Sequence, residues 1–278
     1  MDSNPASPGM TIATFNVNGI KARLPALLMW LEEFAPDAVV LQEIKSMDAN
    51  FPRLEIEALG YAVETHGQKS FNGVAILSKV GLSAVSRGLP GDPEDEQARW
   101  IEGTIGEATA AETGIAPVRL CGLYLPNGNP ITEDRKFGYK LRWMDRMLTH
   151  AQALRAADPD AATILAGDYN IIPADGDVYN PAAFADDALT QPESRSRYRQ
   201  LLHSGWTDAL GSLHPGPGVY TYWDYQAGAW PKDNGLRIDH LLLSPRAADR
   251  LEAAGVDRKP RGREKASDHT PVWIRLGK

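Results

Sequence analysis

Short, largely apolar runs recur along this chain, and side chains that carry oxygen or nitrogen collect where they end. Thr11-Ile-Ala-Thr-Phe-Asn16 and Ala38-Val-Val-Leu-Gln-Glu43 are the first two. Gly73-Val-Ala-Ile-Leu-Ser78, Leu120–Leu125, Thr163-Ile-Leu-Ala-Gly167, Arg237–Leu243 and Pro271-Val-Trp-Ile-Arg-Leu276 repeat the form. A strand with one wet face alternates apolar and polar residues, so an unbroken run predicts a strand covered on both faces. Helical spacing supplies the cover. Leu27, Leu28 and Leu31 share one face of Leu24–Phe34. Leu141, Met144, Leu148, Ala151 and Leu154 form the stripe of Arg135–Ala157, which Pro159 ends. Strands mixed with helices throughout predict a layered α/β fold of stacked sheets under helices. Glu107–Pro117 and Gly211–Gly218 read as loops within it.

Of the 278 residues, 43% are hydrophobic and 23% charged, which supplies one sizeable core. No fixed-period repeat, low-complexity tract or linker divides the chain. Residues 10–278 therefore read as one domain behind a loose Ser/Pro/Asn-rich tail at 1–9. That tail lacks the basic-then-apolar order of a signal peptide, and no apolar run approaches the ~20 residues of a membrane span. The single cysteine, Cys121, excludes an intramolecular disulfide, fits a reducing cytoplasm, and reads as a buried strand residue. A net charge of −7, from 29 basic and 36 acidic residues, counts against a non-specific nucleic-acid binder. It still leaves room for a local basic face over an acidic metal site.

The polar residues that end the runs are Asn16, Asn18, Glu43, Tyr124, Asn127, Asp168, Asn170, Asp239, Asp268 and His269. Strand ends at one rim of a sheet are where α/β folds place their sites. Oxygen-rich donors without a cysteine cluster point to a hard cation, Mg²⁺ or Mn²⁺, rather than zinc. Gly167-Asp-Tyr-Asn170 puts two oxygen side chains, two residues apart, on one side of extended chain. Asp239 lies among apolar residues, where an unpaired carboxylate is costly. Its partner is either an arginine in a structural ion pair or a histidine oriented for catalysis. Taken singly, Asn16-Val-Asn18-Gly also fits a turn, Glu43 a solvated strand end, and Ser267-Asp-His269 a cap-like turn.

Taken in order, these pieces resemble the exonuclease III-like proteins of the endonuclease/exonuclease/phosphatase superfamily. The resemblance runs from about Met10 to the C-terminus. It is carried by Asn16-Val-Asn18-Gly, Leu41-Gln-Glu43, Tyr124-Leu-Pro-Asn127, Gly167-Asp-Tyr-Asn170, Leu236-Arg-Ile-Asp239 and Ser267-Asp-His269. The stretches His66-Gly-Gln-Lys69, Arg87-Gly-Leu-Pro-Gly-Asp92 and Tyr222-Trp-Asp-Tyr225 are similar to the family too. The resemblance implies a four-layered α/β sandwich of two packed mixed β-sheets flanked by helices, with the site at one rim. It implies hydrolysis of the DNA backbone 5′ to abasic sites, with 3′→5′ exonuclease and 3′-end-trimming activity. The implied partner is double-stranded DNA carrying abasic sites or blocked 3′ ends, met by a monomer in the cytoplasm, at the nucleoid.

The resemblance also suggests roles. Glu43, helped by Asn16, Asn18 or Asp268, would hold Mg²⁺, with Mn²⁺ as a substitute. Asp168 would position or activate water, Asn170 would hold it or the phosphate, and Tyr124 would donate to the phosphate or leaving group. His269, oriented by Asp239, would donate to the phosphate. A second metal would draw on Asp168, Asn170 and His269 and remove them from these tasks, so one metal is favoured. Lys21, Arg23, Lys69, Arg99, Asn127, Arg261 and Arg263 are expected on DNA, the last two from the basic run Arg258–Lys265. Trp223 is expected either against a baseless sugar or in the core. The competing assignments are an inositol-phosphate phosphatase, a sphingomyelinase or a DNase I-like nuclease with the same acidic core, and, from another class, a non-catalytic DNA-binding scaffold.

Overall fold

Each of the apolar runs forms a strand. The computed structural model describes residues 9–278, so the expected tail at 1–9 lies, apart from Gly9, outside the described residues. In chain order the strands begin β1 (Met10–Asn16), β2 (Ala38–Gln42), β3 (Ala62–His66), β4 (Val74–Ser78), β5 (Leu82–Arg87) and β6 (Trp100–Ile105). They continue β7 (Val118–Tyr124), β8 (Thr163–Asp168), β9 (Thr207–Asp208), β10 (Asp239–Leu243), β11 (Leu251–Val256) and β12 (Val272–Leu276). One sheet has the order β11-β12-β1-β2-β4-β3 and the other β5-β6-β7-β8-β10-β9. Each is mixed: β1 with β2 and β7 with β8 run parallel, and the other pairs are antiparallel.

The pleat sorts the strand residues into layers. Ile12, Val40 and Ile76 from the first sheet meet Ile101, Leu120, Ile164 and Leu241 from the second in the central core. Their neighbours point the other way. Ala13, Phe15, Val39 and Leu41 take the helix α1 (Ile20–Glu33) through Leu27, Trp30 and Leu31. Cys121, Leu123 and Leu165 take α2 (Phe137–Ala157) and α3 (Pro192–His203). Helix, sheet, sheet, helix is the four-layered α/β sandwich expected, and continuously apolar strands are what two covered faces require. Burial of a side chain such as Leu31 or Met147 contributes about 1.5–3 kcal/mol.

The buried face of α2 is turned from the one its leucines suggested. Lys140, Trp143, Met144, Met147 and Ala151 face inward, while Leu141, Leu148 and Leu154 are only half-buried. The two-ring Trp143 fills the interior against Trp100 (centroids 6.3 Å apart), and Leu148 and Leu154 pack at the edge of the same cluster. Cys121 is fully buried on β7. No described helix is long and apolar enough to cross a membrane.

Candidate active site

The strand register assembles the site before any side chain is considered. On β8, Asp168 is the Cα partner of Tyr124 on β7 and of Asp239 on β10. Register partners on adjacent strands share a face, so the three side chains project together toward the first sheet. Gly167, just before Asp168, passes so close to β7 that a Cβ there would stand 1.9 Å from the Leu123 carbonyl oxygen. From the first sheet Asn16 reaches across. Its Nδ2 donates to Glu43 Oε1 and to Asp168 Oδ2, both at 2.9 Å, and its Oδ1 accepts from the Asn18 N–H at 3.0 Å. A fully buried Asn16 whose oxygen is already engaged holds two carboxylates in place.

Asp168, Asp239 and His269 form one buried unit. His269 Nδ1 lies 2.9 Å from Asp239 Oδ2 and 3.1 Å from Oδ1. A carboxylate can only accept, so Nδ1 carries the proton and Nε2 faces Asp168 Oδ2 at 3.7 Å. Thr221 Oγ1 donates to the same Asp239 oxygen at 2.6 Å. Of the two partners left open for Asp239, the structure selects the histidine. Burial works against a charged imidazole, but Asp239 and then Asp168 outweigh it and raise His269 to about 10. Asp168 is raised to about 7, first by burial and then by repulsion from Asp239 and Glu43, against the pull of His269. Burial and the nearby Glu43 and Asp168 hold the Tyr124 phenol well above its ordinary value, so it remains a donor.

Glu43 sits just past β2 in left-handed backbone (φ 51°). Its Oε2 pairs with Lys45 Nζ at 2.8 Å. Burial alone would raise Glu43; hydrogen bonds from Lys45 and Asn16 outweigh it and hold the carboxyl below its usual range. Lys45 Nζ also donates to Asn18 Oδ1 at 2.6 Å, and Asn18 Nδ2 donates to Asp268 Oδ1 at 3.1 Å. An ammonium thus bridges Glu43 and Asn18, the oxygens assigned to a cation from the sequence. Lys45 was not foreseen, although its place two residues after Glu43 was visible. Glu43, Asp168 and His269 each bring a donor atom within 4.8 Å of one another. Crowded carboxylates with one pushed up to about 7 are a donor set that a hard divalent cation would relieve.

Asn170 follows Asp168 in left-handed backbone (φ 47°), and its N–H donates to Asp168 Oδ1 at 2.9 Å. Its side chain spans Leu125 O (2.9 Å) and Asn127 Nδ2 (3.1 Å). These groups open onto a cavity of about 510 Å³ bordered by Glu43, Tyr124, Asn127, Asp168, Asn170, Asp268 and His269. The rest of its lining mixes apolar Phe184, Tyr222, Leu236 and Ile238 with polar Asp187, Asp224, Gln226 and Asn234. Tyr222 packs edge-on against the His269 ring, centroids 4.9 Å apart.

The profile of the endonuclease/exonuclease/phosphatase family matches residues 13–269, the span that carries every group just described. The chain belongs to that family. This family enzyme is a hydrolase that acts on DNA. It is 32% identical over 275 residues to exodeoxyribonuclease III of Haemophilus influenzae, covering 95% of this chain and 98% of the relative. An AP endonuclease from Archaeoglobus fulgidus superposes with a TM-score of 0.87 at 34% identity, over 96% of this chain and 99% of that one. A 3′ phosphatase from Neisseria, solved with a product DNA hairpin, gives a TM-score of 0.89 at 34% identity, over 97% of this chain and 100% of that one.

The residues expected on DNA divide into two groups in the family enzyme. Lys21, Lys69 and Asn127 are exposed, and half-buried Arg23 donates to Tyr225 Oη at 3.0 Å. The others are otherwise engaged. Arg99 lies over the Tyr124 ring (4.8 Å) and donates to the Tyr124 carbonyl at 3.1 Å, so it braces Tyr124. Arg261 is buried and donates to the Trp223 carbonyl at 2.9 Å. Arg263 pairs with Glu33. Trp223 is fully buried between Tyr220 and Trp230, its Nε1 donating to Asp233 Oδ1 at 2.9 Å. Of its two expected positions the structure gives the core. Tyr222, Leu236 and Ile238 are the neighbours of this stretch that line the cavity. The signal was present, since Tyr222 adjoins Trp223 and the other two flank Arg237 beside Asp239.

Proposed function

We propose that this enzyme is a Mg²⁺-dependent DNA-repair phosphodiesterase that hydrolyses the backbone 5′ to abasic sites and trims 3′ ends. The observation that carries this reading is the convergence of Asp168, His269–Asp239, Glu43 and Tyr124 on one cavity. Resemblance to an exodeoxyribonuclease III, an AP endonuclease and a 3′ phosphatase, each near one-third identity, supports it.

Glu43 and Asp268, with Asn18, would hold the cation, Mg²⁺ or Mn²⁺, which when bound would supply positive charge to offset that of the phosphate and the departing 3′-oxygen. Asp168 aligns the attacking water and takes its proton; its raised proton affinity suits a base working near neutral pH. His269 remains protonated at that pH and donates from Nε2 to a non-bridging phosphate oxygen as charge grows there. Asp239 fixes the imidazole through Nδ1. Tyr124, a protonated phenol, donates to the phosphate or leaving oxygen. Asn16 acts indirectly, holding Glu43 and Asp168 at fixed separation.

Substrate choice follows from the rest of the lining. Tyr222 packs on His269, and with Phe184, Leu236 and Ile238 it offers apolar contacts for a baseless deoxyribose, among Asp187, Asp224, Gln226 and Asn234. An abasic nucleotide has no stacking to lose, so turning it into the cavity costs less than flipping an intact one. Lys21, Lys69 and Arg23 lie outside the cavity wall and are suited to backbone phosphates, which position DNA without reading sequence.

The test is a duplex with one stable abasic analogue, labelled at both ends, incubated with Mg²⁺ or EDTA beside an undamaged duplex and a 3′-phosphate duplex. Metal-dependent scission immediately 5′ of the lesion is the expected product. An intact lesion strand under both Mg²⁺ and Mn²⁺, with only 3′ phosphate removed, would reduce the reading to the 3′-end activity.

A further inference from the structure

The mechanism leaves one buried charge without a task. Lys140, in the first turns of α2, is fully buried. Its ammonium donates to the main-chain carbonyl of Asn170 at 2.6 Å and to that of Asn127 at 3.0 Å. Withdrawing an ammonium from water costs several kcal/mol, and carbonyl dipoles return less than a carboxylate would. Burial lowers its proton affinity to about 7, against the opposing pull of Asp187 and Asp168, and either protonation state keeps N–H groups for both carbonyls. A methionine of similar length would fill the same volume without that cost. The backbone is shaped around the lysine: a Cβ on Gly128 (φ +90°) would stand 2.6 Å from Lys140 Cδ.

The two carbonyls belong to residues at the cavity. Asn127 follows β7 and Asn170 follows β8, and their side chains meet through Asn127 Nδ2 and Asn170 Oδ1 at 3.1 Å. Asn170 also gives its N–H to Asp168 Oδ1. One ammonium therefore ties together the chain segments leaving two neighbouring strands, directly behind the carboxylate that aligns water. We propose that Lys140 is a positioning residue of the active site, holding the Asn127–Asn170 pair, and through it Asp168, in working geometry. The inference rests on the phosphodiesterase reading above. Lys140 touches no substrate; its effect passes through the main chain, so it falls on turnover rather than on binding.

The experiment compares wild type, Lys140→Met and Lys140→Gln for kcat and KM on the abasic-analogue duplex and on a simple aryl phosphodiester, beside thermal melts. Lys140→Met keeps the stem and loses both hydrogen bonds, and Lys140→Gln can restore one. Loss of alignment at a reacting centre typically costs about 10²-fold, so kcat should fall by that order in Lys140→Met and by less in Lys140→Gln. KM should stay within about twofold, since an effect confined to turnover leaves ground-state binding unchanged. Wild-type kcat in Lys140→Met overturns the inference while leaving the activity assignment intact. So does a loss in both variants that matches the loss of folded protein. A wild-type enzyme inactive on every phosphoester overturns the functional reading, and this inference with it.

Discussion

Asp168 and Asp239 are register partners on antiparallel β8 and β10. Their carboxylates therefore leave the sheet on one face, and His269 meets both, Nδ1 at 2.9 Å from Asp239 and Nε2 at 3.7 Å from Asp168. Two buried acids sharing one imidazole are pushed to different tasks. The one hydrogen-bonded by Thr221 and His269 orients the imidazole, and the other is raised to about 7 and faces the cavity.

Replacing Asp239 separates orientation from charge. Asp239→Asn removes the largest influence raising His269, so the imidazole deprotonates nearer its ordinary value than about 10. The alkaline limb of the kcat profile should move to lower pH. At neutral pH, kcat should fall by about 10²–10³, the usual cost of losing one electrostatic donor. An alkaline limb unmoved in the variant would contradict the proton assignment.

A cation at Glu43 and a proton on Asp168 oppose each other through space. Below about 7 the metal-free carboxyl is protonated, and a cation held beside it favours the ionised form and so releases that proton; above about 7 there is none to release. Apparent Mg²⁺ affinity should therefore strengthen as pH rises toward 7, by up to about tenfold per unit for one proton, and level off beyond. A raised carboxyl also means that ionising Asp168 costs metal-free stability between the usual carboxylate range and about 7. Mg²⁺ should accordingly raise Tm more at pH 8 than at pH 6. Calorimetry in buffers of different ionisation enthalpy reads the released proton, and identical heats in all buffers would rule the competition out.

Asn16→Ala leaves Glu43 and Asp168 without their shared donor. The expected cost is about 1–3 kcal/mol of stability for the unmet buried groups. Denaturant unfolding in EDTA checks this, and Mg²⁺ should recover part of the loss. Wild-type stability in EDTA would show that Asn16 is not holding the pair apart.

The fold was legible where strands are covered on both faces, because unbroken apolar runs such as Val39–Leu41 leave no alternative. It was not legible at β3 and β5. β3 alternates exposed and buried residues, and edge strand β5 has no fully buried residue, so neither shows a continuous run. α3 carries Tyr198 and Leu201 inward among mostly polar residues, too sparse a stripe to stand out. At the site, Glu43, Asp168, Asp239 and His269 could be named from sequence because each ends or adjoins a strand. Arg99, Arg261 and Arg263 could not be placed, since a guanidinium on a carbonyl, an aromatic ring or a glutamate reads the same as one on phosphate. Lys140 was hidden for the opposite reason: a lysine on a long helix reads as solvated, and its burial exists only in the folded contacts.

Arg237, within the Leu236-Arg-Ile-Asp239 motif, serves structure rather than chemistry. It is buried, with Nε 2.7 Å from Asp177 Oδ1 and Nη1 2.6 Å from Asp208 Oδ2. Arg237→Leu strands two carboxylates and should cost about 3–5 kcal/mol. Urea unfolding measures the loss. Activity per folded molecule should hold near wild type, and a kcat loss without a stability loss would place Arg237 in the reaction instead.

The most direct test is the rate of Asp168→Asn on a Mg²⁺-loaded abasic duplex, measured beside its affinity for the same DNA. The side chain keeps its shape and loses its proton affinity. kcat should fall by at least about 10³-fold, within the range that general-base loss reaches, while DNA affinity stays within about threefold, as expected for an interaction made only in turnover. A variant that cleaves 5′ of the lesion at the wild-type rate would contradict the assignment of this cavity as the phosphodiesterase site.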